Sequence, residues 1–435
     1  MTGTYEGAIS DLSNLAAAAG IRPGLERILA LLELLGNPHK RGPRFIHVTG
    51  SNGKGSVSAM MASVCQAAGY RTGFFSSPHL KEYTERLRLD GREISRDDFV
   101  ALMETIWPLI PRVERTAGRP TEFELLTAAA FLYFAERQAD VVVLEVGLGG
   151  KWDSTNVAEN PLLSIIVNIS LEHQQYLGDT LEAIAGEKAG IIKAGCPVLT
   201  AERNPQILKL FADTAAQKGS AFFSVYGECG WSLLDDGMEG QSFRLRTPAG
   251  EYEDLRIPLL GAHQAANAAA VVYGAEILRE SSVRIDEASL REGLMKVRWP
   301  GRLEVLSRAP FVLLDGAHNP GAAETLREWL AAKRSGFPKV YLVTGLLDDK
   351  DQAGWAALMD PWVDRVVVTR PGSYRASKWR EFARYFRSED GRVRVVEEPR
   401  EALRTALEEA SEADLVLLAG SLYLAAEFRD YFGAI

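Results

Sequence analysis

Between Arg44 and Ala68 the chain reads RFIHVTGSNGKGSVSAMMASVCQAA: a short apolar strand, a glycine-rich turn with one lysine, then an apolar-periodic helix. That order builds a phosphate cradle. Gly50, Gly53 and Gly55, with Asn52 between them, let the backbone turn tightly with its N–H groups facing inward, and the helix aims its positive N-terminal end at the same place. Lys54 adds a full charge, and Ser56 offers a hydroxyl where a phosphate-bound Mg²⁺ would sit. Only Ser51 and Asn52 separate Gly50 from Gly53-Lys54, a shorter loop than the common P-loop pattern.

Further polar residues interrupt apolar runs at the ends of expected strands, where open α/β sheets bind ligands. Ser76-Ser77-Pro78-His79 follows one run. Glu145 ends ADVVVLEVG and opens Glu145-Val-Gly-Leu-Gly-Gly, with Asp153-Ser-Thr-Asn156 beyond; a carboxylate there requires a cation or a donor as partner. His173 follows the next run in Leu171-Glu172-His173. Lys188 lies in a helical segment, where a lysine is ordinarily a solvated surface charge. Later, Asp315-Gly-Ala-His318 closes the strand VLLD ahead of a helix. An acid and a histidine paired there favour ligand contact over a simple cap. Arg302 suits anionic phosphate groups.

The elements that position these groups alternate. After a largely helical segment over 5–35 come the cradle, a strand over 71–76, a loop or hairpin TERLRLDGREIS, a helix over 123–138, and strands over 139–147 and 162–170. A helix over 180–192, strand PVLT, a helix over 205–218 and strand AFFSVY follow. This predicts an α/β fold, a P-loop-containing doubly wound, mostly parallel sheet. Short alternating segments over 227–260, split by Asp-Gly and Pro-Ala-Gly turns, predict a small antiparallel accessory sheet. Pro300-Gly301 reads as a hinge. Beyond it strands and helices alternate again from Phe311, predicting a second Rossmann-like α/β domain without GxGxxG. The expected domains are 1–298, with N-terminal helices and the phosphate cradle, and 299–435.

At 435 residues two domains are the prior. Hydrophobic residues at 46% and charged residues at 25% are ordinary globular values, and a net charge of −9 disfavours a nucleic-acid partner. No run reaches the ~18 apolar residues of a membrane span, and the N-terminus lacks a signal-peptide pattern, so the expectation is a cytoplasmic protein without a membrane partner. Cys65, Cys196 and Cys229 are scattered and suggest neither a disulfide framework nor a CxxC metal site.

The set TGSNGKGS, SPHL, EVGLGG-x-x-D-x-TNV, LEHQQYLGDT, IAGEKAGIIK, GAHQAANAAA, WPGRLE, LDGAHNP, DDKD and GSLYLA resembles folylpolyglutamate synthase and its bifunctional dihydrofolate synthase form, within the Mur ligase family. The motifs run in family order over nearly the whole chain. The resemblance implies an ADP-forming amide ligase: ATP phosphorylates a carboxylate of dihydropteroate or a reduced folate, and the amine of L-glutamate attacks the acyl phosphate. It implies that Lys54, Lys188, His173 and His318 serve catalysis, that Ser56 binds one Mg²⁺, and that Ser77, Glu145 and His173 bind a second. It implies a carbamylated Lys188 and ATP contacts from Asn267, Arg302, Asp315 and the cradle. Phe123 and Asp153 become candidates for the pterin pocket, and Ser421, in GSLYLA, a candidate on the glutamate side with His318. A monomer is expected.

Three positions depart from the family pattern. Glu172 stands where Asp is common, Lys151 where Arg is usual, and Ser154 where alanine is usual. They bear on substrate preference. The alternatives are a cell-wall-type Mur ligase and a catalytically inactive nucleotide-binding paralogue. Against the first, residues 1–40 look helical and leave no room for an added N-terminal α/β domain. A GTPase switch would need Asn-Lys-x-Asp, which this sequence lacks.

Overall fold

Apolar runs without alternation become strands covered on both faces. The computed structural model describes residues 3–19, 22–279, 281, 283–373, 375–389 and 391–433. By its internal contacts the chain divides into two units. The first runs to Leu234 and takes in Ser242–Pro258 and Ala265–Val297; the second holds Asp235–Gln241, Leu259–Gln264 and Arg298 onward.

The first unit's strands are β1 (Arg44–Thr49), β2 (Thr72–Phe75), β3 (Leu87–Leu89), β4 (Arg92–Glu93), β5 (Val141–Glu145), β6 (Leu163–Ile166), β7 (Val198–Thr200) and β8 (Phe222–Ser224). They form one sheet in the order β4-β3-β2-β5-β1-β6-β7-β8. From β2 to β8 the pairs are parallel, while β3 and β4 join antiparallel at the edge. Every residue of β5 and β6 is buried. The register sets Val48 opposite Glu145 and Thr49 opposite Ile166, so the carboxyl ends of β1, β5 and β6 finish level. That places the cradle, the glycine loop after Glu145 and the segment after Ile166 side by side.

Helices cover the sheet. Lys54–Ala67 follows β1 after the cradle turn and is buried along most of its length. Glu122–Glu136 is fixed at its start by a capping box between Thr121 and Glu124. Glu124 also accepts Arg27 Nε at 3.1 Å, anchoring the helix Glu26–Leu34 to it, with the helix Tyr5–Ala19 ahead of that in the chain. Gly20 and Ile21, inside the segment predicted helical, lie outside the described residues. Strands β9 (Gly230–Asp236), β10 (Gln241–Thr247) and β11 (Gly250–Ile257) make the small antiparallel sheet predicted over 227–260.

In the second unit β12 (Glu304–Arg308), β13 (Phe311–Asp315), β14 (Val340–Thr344), β15 (Arg365–Val368), β16 (Val393–Val395) and β17 (Leu415–Ala419) form a sheet in the order β12-β13-β17-β14-β15-β16. All pairs are parallel except β12 with β13. Its core gathers Trp329, Trp355 and Phe382 beneath helices Pro320–Lys333 and Gln352–Met359. The architecture is thus the two α/β parts and accessory sheet that the sequence predicts.

Local differences have physical reasons. The strand predicted over 162–170 stops at Ile166, because Asn168 and Ser170 turn out of the sheet to bind the cradle. The segment TERLRLDGREIS is the β3–β4 hairpin. Helices Arg96–Ile106 and Ile110–Ala117 follow it where no element was expected. Within the strand–helix alternation expected beyond Phe311, Trp379–Tyr385 is a 3₁₀ segment rather than an α-helix. Among the described residues no helix is long and apolar enough to cross a membrane.

Candidate active site

Gly50 has φ 151° and Gly53 φ 83°, backbone that side chains rarely adopt. A Cβ on Gly50 would lie 3.0 Å from Val167 Cβ, and one on Gly53 2.9 Å from Asn267 Oδ1. The turn is therefore pressed against both the segment after β6 and the helix His263–Leu278 that carries Asn267. Its shape is held by that segment. Ser51 N donates to Asn168 O at 2.8 Å, Asn52 N to Asn168 Oδ1 at 2.8 Å, and Ser170 N to Ser51 Oγ at 3.0 Å. Ser56 is buried in the first turn of the helix Lys54–Ala67.

Two lysines converge on one backbone oxygen. Lys54 Nζ donates to Gly50 O at 2.6 Å and to Ser51 O at 3.1 Å, and Lys188 Nζ donates to Gly50 O at 2.9 Å. Lys188 is 1% exposed, and its amino group lies 2.7 Å from Glu172 Oε1. The expectation from spacing alone, a solvated lysine, gives way to a fully enclosed one. Burial, with Lys54 assisting and Glu172 opposing, pulls the Lys188 amine down to about 8. For Glu172 burial pushes upward, but Lys54 and Lys188 prevail and hold the carboxyl at about 2. His173, adjacent in sequence, adds to the positive field on Glu172 and takes φ 45° as it opens the helix Gln174–Leu177.

Glu145, 4% exposed, ends β5, and Ser77 N donates to its Oε2 at 3.3 Å. This brings two of the residues expected at a metal together at neighbouring strand ends. Past Glu145 the glycine loop is gripped from several sides. Asp153 Oδ2 accepts Gly147 N at 3.0 Å and Leu148 N at 2.9 Å, while Oδ1 accepts Thr155 N at 3.0 Å and Thr155 Oγ1 at 2.5 Å. Burial raises the Asp153 carboxyl, and these four donors pull it back. Asp153 therefore organises the loop with all four of its usual acceptor positions. His47 Nε2 lies 2.9 Å from Thr155 Oγ1, and Thr49 Oγ1 donates to Gly149 O at 2.7 Å. Phe123 packs over the loop's other side: a Cβ on Gly147 would be 2.5 Å from its Cζ. The Phe123 ring centroid is 5.8 Å from that of Phe75, at the end of β2.

The second unit has its own cluster. Asp315 Oδ2 accepts Leu303 N at 2.9 Å and Oδ1 accepts Ala317 N at 2.8 Å. Burial raises this carboxyl while Arg302 lowers it. A Cβ on Gly316 would sit 2.7 Å from Arg302 Nη1 and 2.4 Å from Leu422 Cδ2. His318 Nδ1 is 2.8 Å from Gly316 O. Ser421, 4% exposed, caps the helix Leu422–Tyr431 by accepting Tyr423 N. Arg302, Asp315, Gly316 and the helix start after Ser421 are thus one neighbourhood.

Residues 48–275 match the Mur ligase middle domain, and residues 301–422 match the Mur ligase glutamate ligase domain. The dihydrofolate synthase/folylpolyglutamate synthase of Bacillus subtilis is 38% identical over 413 residues, covering 94% of this chain and 95% of that protein. This chain belongs to the folylpolyglutamate synthase branch of the Mur ligases. Another member of the branch, the folylpolyglutamate synthase of Lacticaseibacillus casei, is 36% identical over 93% of each chain. Among solved structures, Mycobacterium tuberculosis folylpolyglutamate synthase complexed with ADP superposes with TM-score 0.90 at 34% identity, covering 99% of each chain. Escherichia coli FolC in complex with DHPP and ADP gives 0.87 at 32% identity, covering 98% of each. As a Mur ligase the protein is an enzyme, an ATP-dependent ligase.

In this folylpolyglutamate synthase-type chain several residues of the neighbourhood went unassigned by the sequence. Asn168 and Ser170 hold the cradle, and His47 and Thr155 hold the glycine loop. A signal exists for the first pair, since polar side chains closing an apolar run need partners. His47 sits inside a strand and gives no such sign.

Proposed function

We propose that this chain is an ATP-dependent ligase that joins L-glutamate to the carboxylate of a dihydropteroate or reduced folate through an acyl phosphate. The observation that carries it is the pair Lys54 and Lys188 on the Gly50 carbonyl, with Ser77 and Glu145 in contact at the neighbouring strand ends. A carboxylate is a poor electrophile, and the charge that builds during phosphoryl transfer calls for cationic and backbone donors in one place. Lys54 and the amides of Gly53 and Gly55 are proposed to take the phosphates. Asn267 is the nucleotide contact in the first unit. Arg302, Asp315 and His318 are proposed as further ATP or substrate contacts, and Ser421 as a contact on the glutamate side, on the strength of family position.

The donor set fits Mg²⁺. Ser56 would offer a hydroxyl to one Mg²⁺, and Ser77, Glu145 and His173 a hydroxyl, a carboxylate and an imidazole to a second; Mg²⁺ prefers few protein ligands with waters and phosphate oxygens completing its shell. Bound there, it would neutralise charge on the transferring group. Lys188 is proposed to carry a carbamate. Its depressed amine leaves a nucleophilic lone pair whose attack on CO₂, with loss of one proton, yields an anion. Formation of that anion replaces the present 2.7 Å contact with Glu172. The proposed setting is a monomer in the cytoplasm.

The test is phosphate release with ATP and dihydropteroate or tetrahydrofolate, with and without glutamate. Release that requires both a pterin and glutamate is expected. Equal release without any pterin overturns the reading.

A further inference from the structure

The segment from Ser77 to Arg86 is more tightly fixed than a connecting loop requires. The Glu85 carboxylate takes three successive backbone amides, Leu80 N at 2.8 Å and Lys81 N and Glu82 N at 2.7 Å each. Ser76 N donates to Arg86 O at 3.1 Å, closing the segment at its base. Inside lies Arg86, 8% exposed. Its Nε donates to His79 Nδ1 at 2.9 Å, while the carboxylate oxygen Glu122 Oε1 is 3.8 Å from Nη2. Tyr83 fills the centre: its ring is 4.4 Å from that of His79, 5.3 Å from the Arg86 guanidinium carbon, and its hydroxyl bonds Glu122.

A buried guanidinium normally spends its N–H groups on carboxylates. Here one goes to an imidazole. Because Arg86 cannot accept, His79 Nδ1 must be the acceptor, and the ring's hydrogen is confined to Nε2. Arg86 thereby turns His79 into a donor of fixed orientation. His79 is half-buried and stands two residues beyond Ser77, whose amide rests on Glu145; Glu122, at the far side of the hub, precedes Phe123.

We propose that His79 Nε2–H donates a hydrogen bond to an acceptor on the pteroyl substrate, and that Arg86 is the positioning residue that fixes this donor relative to Ser77 and Phe123. The inference rests on the ligase reading above. The substrate's carbonyl and carboxylate oxygens are acceptors only, so a donor of fixed tautomer discriminates for them.

The experiment is steady-state phosphate release by the full chain with ATP, glutamate and dihydropteroate or tetrahydrofolate. His79→Phe keeps a ring against Tyr83 and loses the donor. It is expected to raise the KM for the pteroyl substrate about tenfold, the worth of one hydrogen bond, with the KM for ATP within about twofold. Arg86→Met is expected to give the same selective rise without touching substrate. The double variant is expected to be no worse than His79→Phe alone, since both act through one bond. His79→Gln, whose amide reaches the Nε2 position, is expected to recover most of the loss, and His79→Asn is not. An unchanged pteroyl KM in His79→Phe, additive effects in the double variant, or equal behaviour of Gln and Asn overturns the proposal. If His79→Phe does not fold, the Gln and Asn comparison decides alone. Wild-type protein without pterin-dependent release would instead overturn the ligase reading.

Discussion

Lys188 Nζ and Glu172 Oε1 are 2.7 Å apart, with side chains 1% and 10% exposed. Buried pairs of this kind add little net stability but are costly to break one-sidedly. Lys188→Ala is expected to lower unfolding stability by about 3 kcal/mol and to abolish turnover, with high bicarbonate failing to restore it. Lys188→Ala combined with Glu172→Gln is expected to recover much of the stability in a urea titration and none of the turnover. Near-normal rates in the single variant would remove Lys188 from the mechanism.

His47 gives a pH dependence. Burial, with Lys193 assisting, holds its imidazole at about 3, against an ordinary value of 6.5. The unfolded chain takes up this proton below pH 6.5 and the folded chain does not, so His47 withdraws stability as pH falls from 6.5 toward 3. The upper bound is on the order of 5 kcal/mol. Urea midpoints at pH 7 and pH 4.5 are expected to differ more for wild type than for His47→Gln; equal differences would count against it.

The glycine loop separates soft from hard neighbours. A Cβ on Gly147 meets the Phe123 ring, a side chain that can move, whereas one on Gly150 meets Glu187 O at 2.9 Å and Lys188 O at 3.0 Å. Gly147→Ala is expected to fold and to raise the pteroyl KM, with partial recovery on adding Phe123→Leu. Gly150→Ala is expected to displace the backbone at Lys188, lowering kcat by about a hundredfold with no rescue from Phe123→Leu. Thermal melts and kinetics of the four variants check this.

Asp153→Asn keeps the shape of the side chain but turns an NH₂ group toward backbone N–H donors. A loss of about 2 kcal/mol is expected, read as a lower midpoint in denaturant. Activity should fall with both pteroyl and glutamate saturating, since the loop rather than one contact is disturbed.

Much of the site was legible because chemistry at strand ends leaves marks. Glycines, a lysine and polar residues interrupting apolar runs located the cradle, Glu145 and Asp315, and the alternation of elements gave both sheets. Partners distant in sequence were not legible. Asn168 and Ser170 looked like the tail of a strand, and only the tertiary contact with Ser51 and Asn52 explains their early exit. The strand β12 was hidden behind the Pro300-Gly301 punctuation. There Leu303 adopts φ 45°, and its amide is held by Asp315 from 12 residues away. The helix Arg96–Ile106 did carry a sign, since Ser95 Oγ accepts Asp98 N at 3.0 Å in an ordinary N-cap.

The carbonyl of Gly50 has two lone pairs and two lysine donors. If Lys54 swings toward an arriving phosphate, that oxygen keeps Lys188 and is not left bare in a dry interior. A cation held this way would in effect be on loan from the loop: it would leave and return by exchanging partners, with neither an orphaned acceptor nor a freely rotating side chain to freeze.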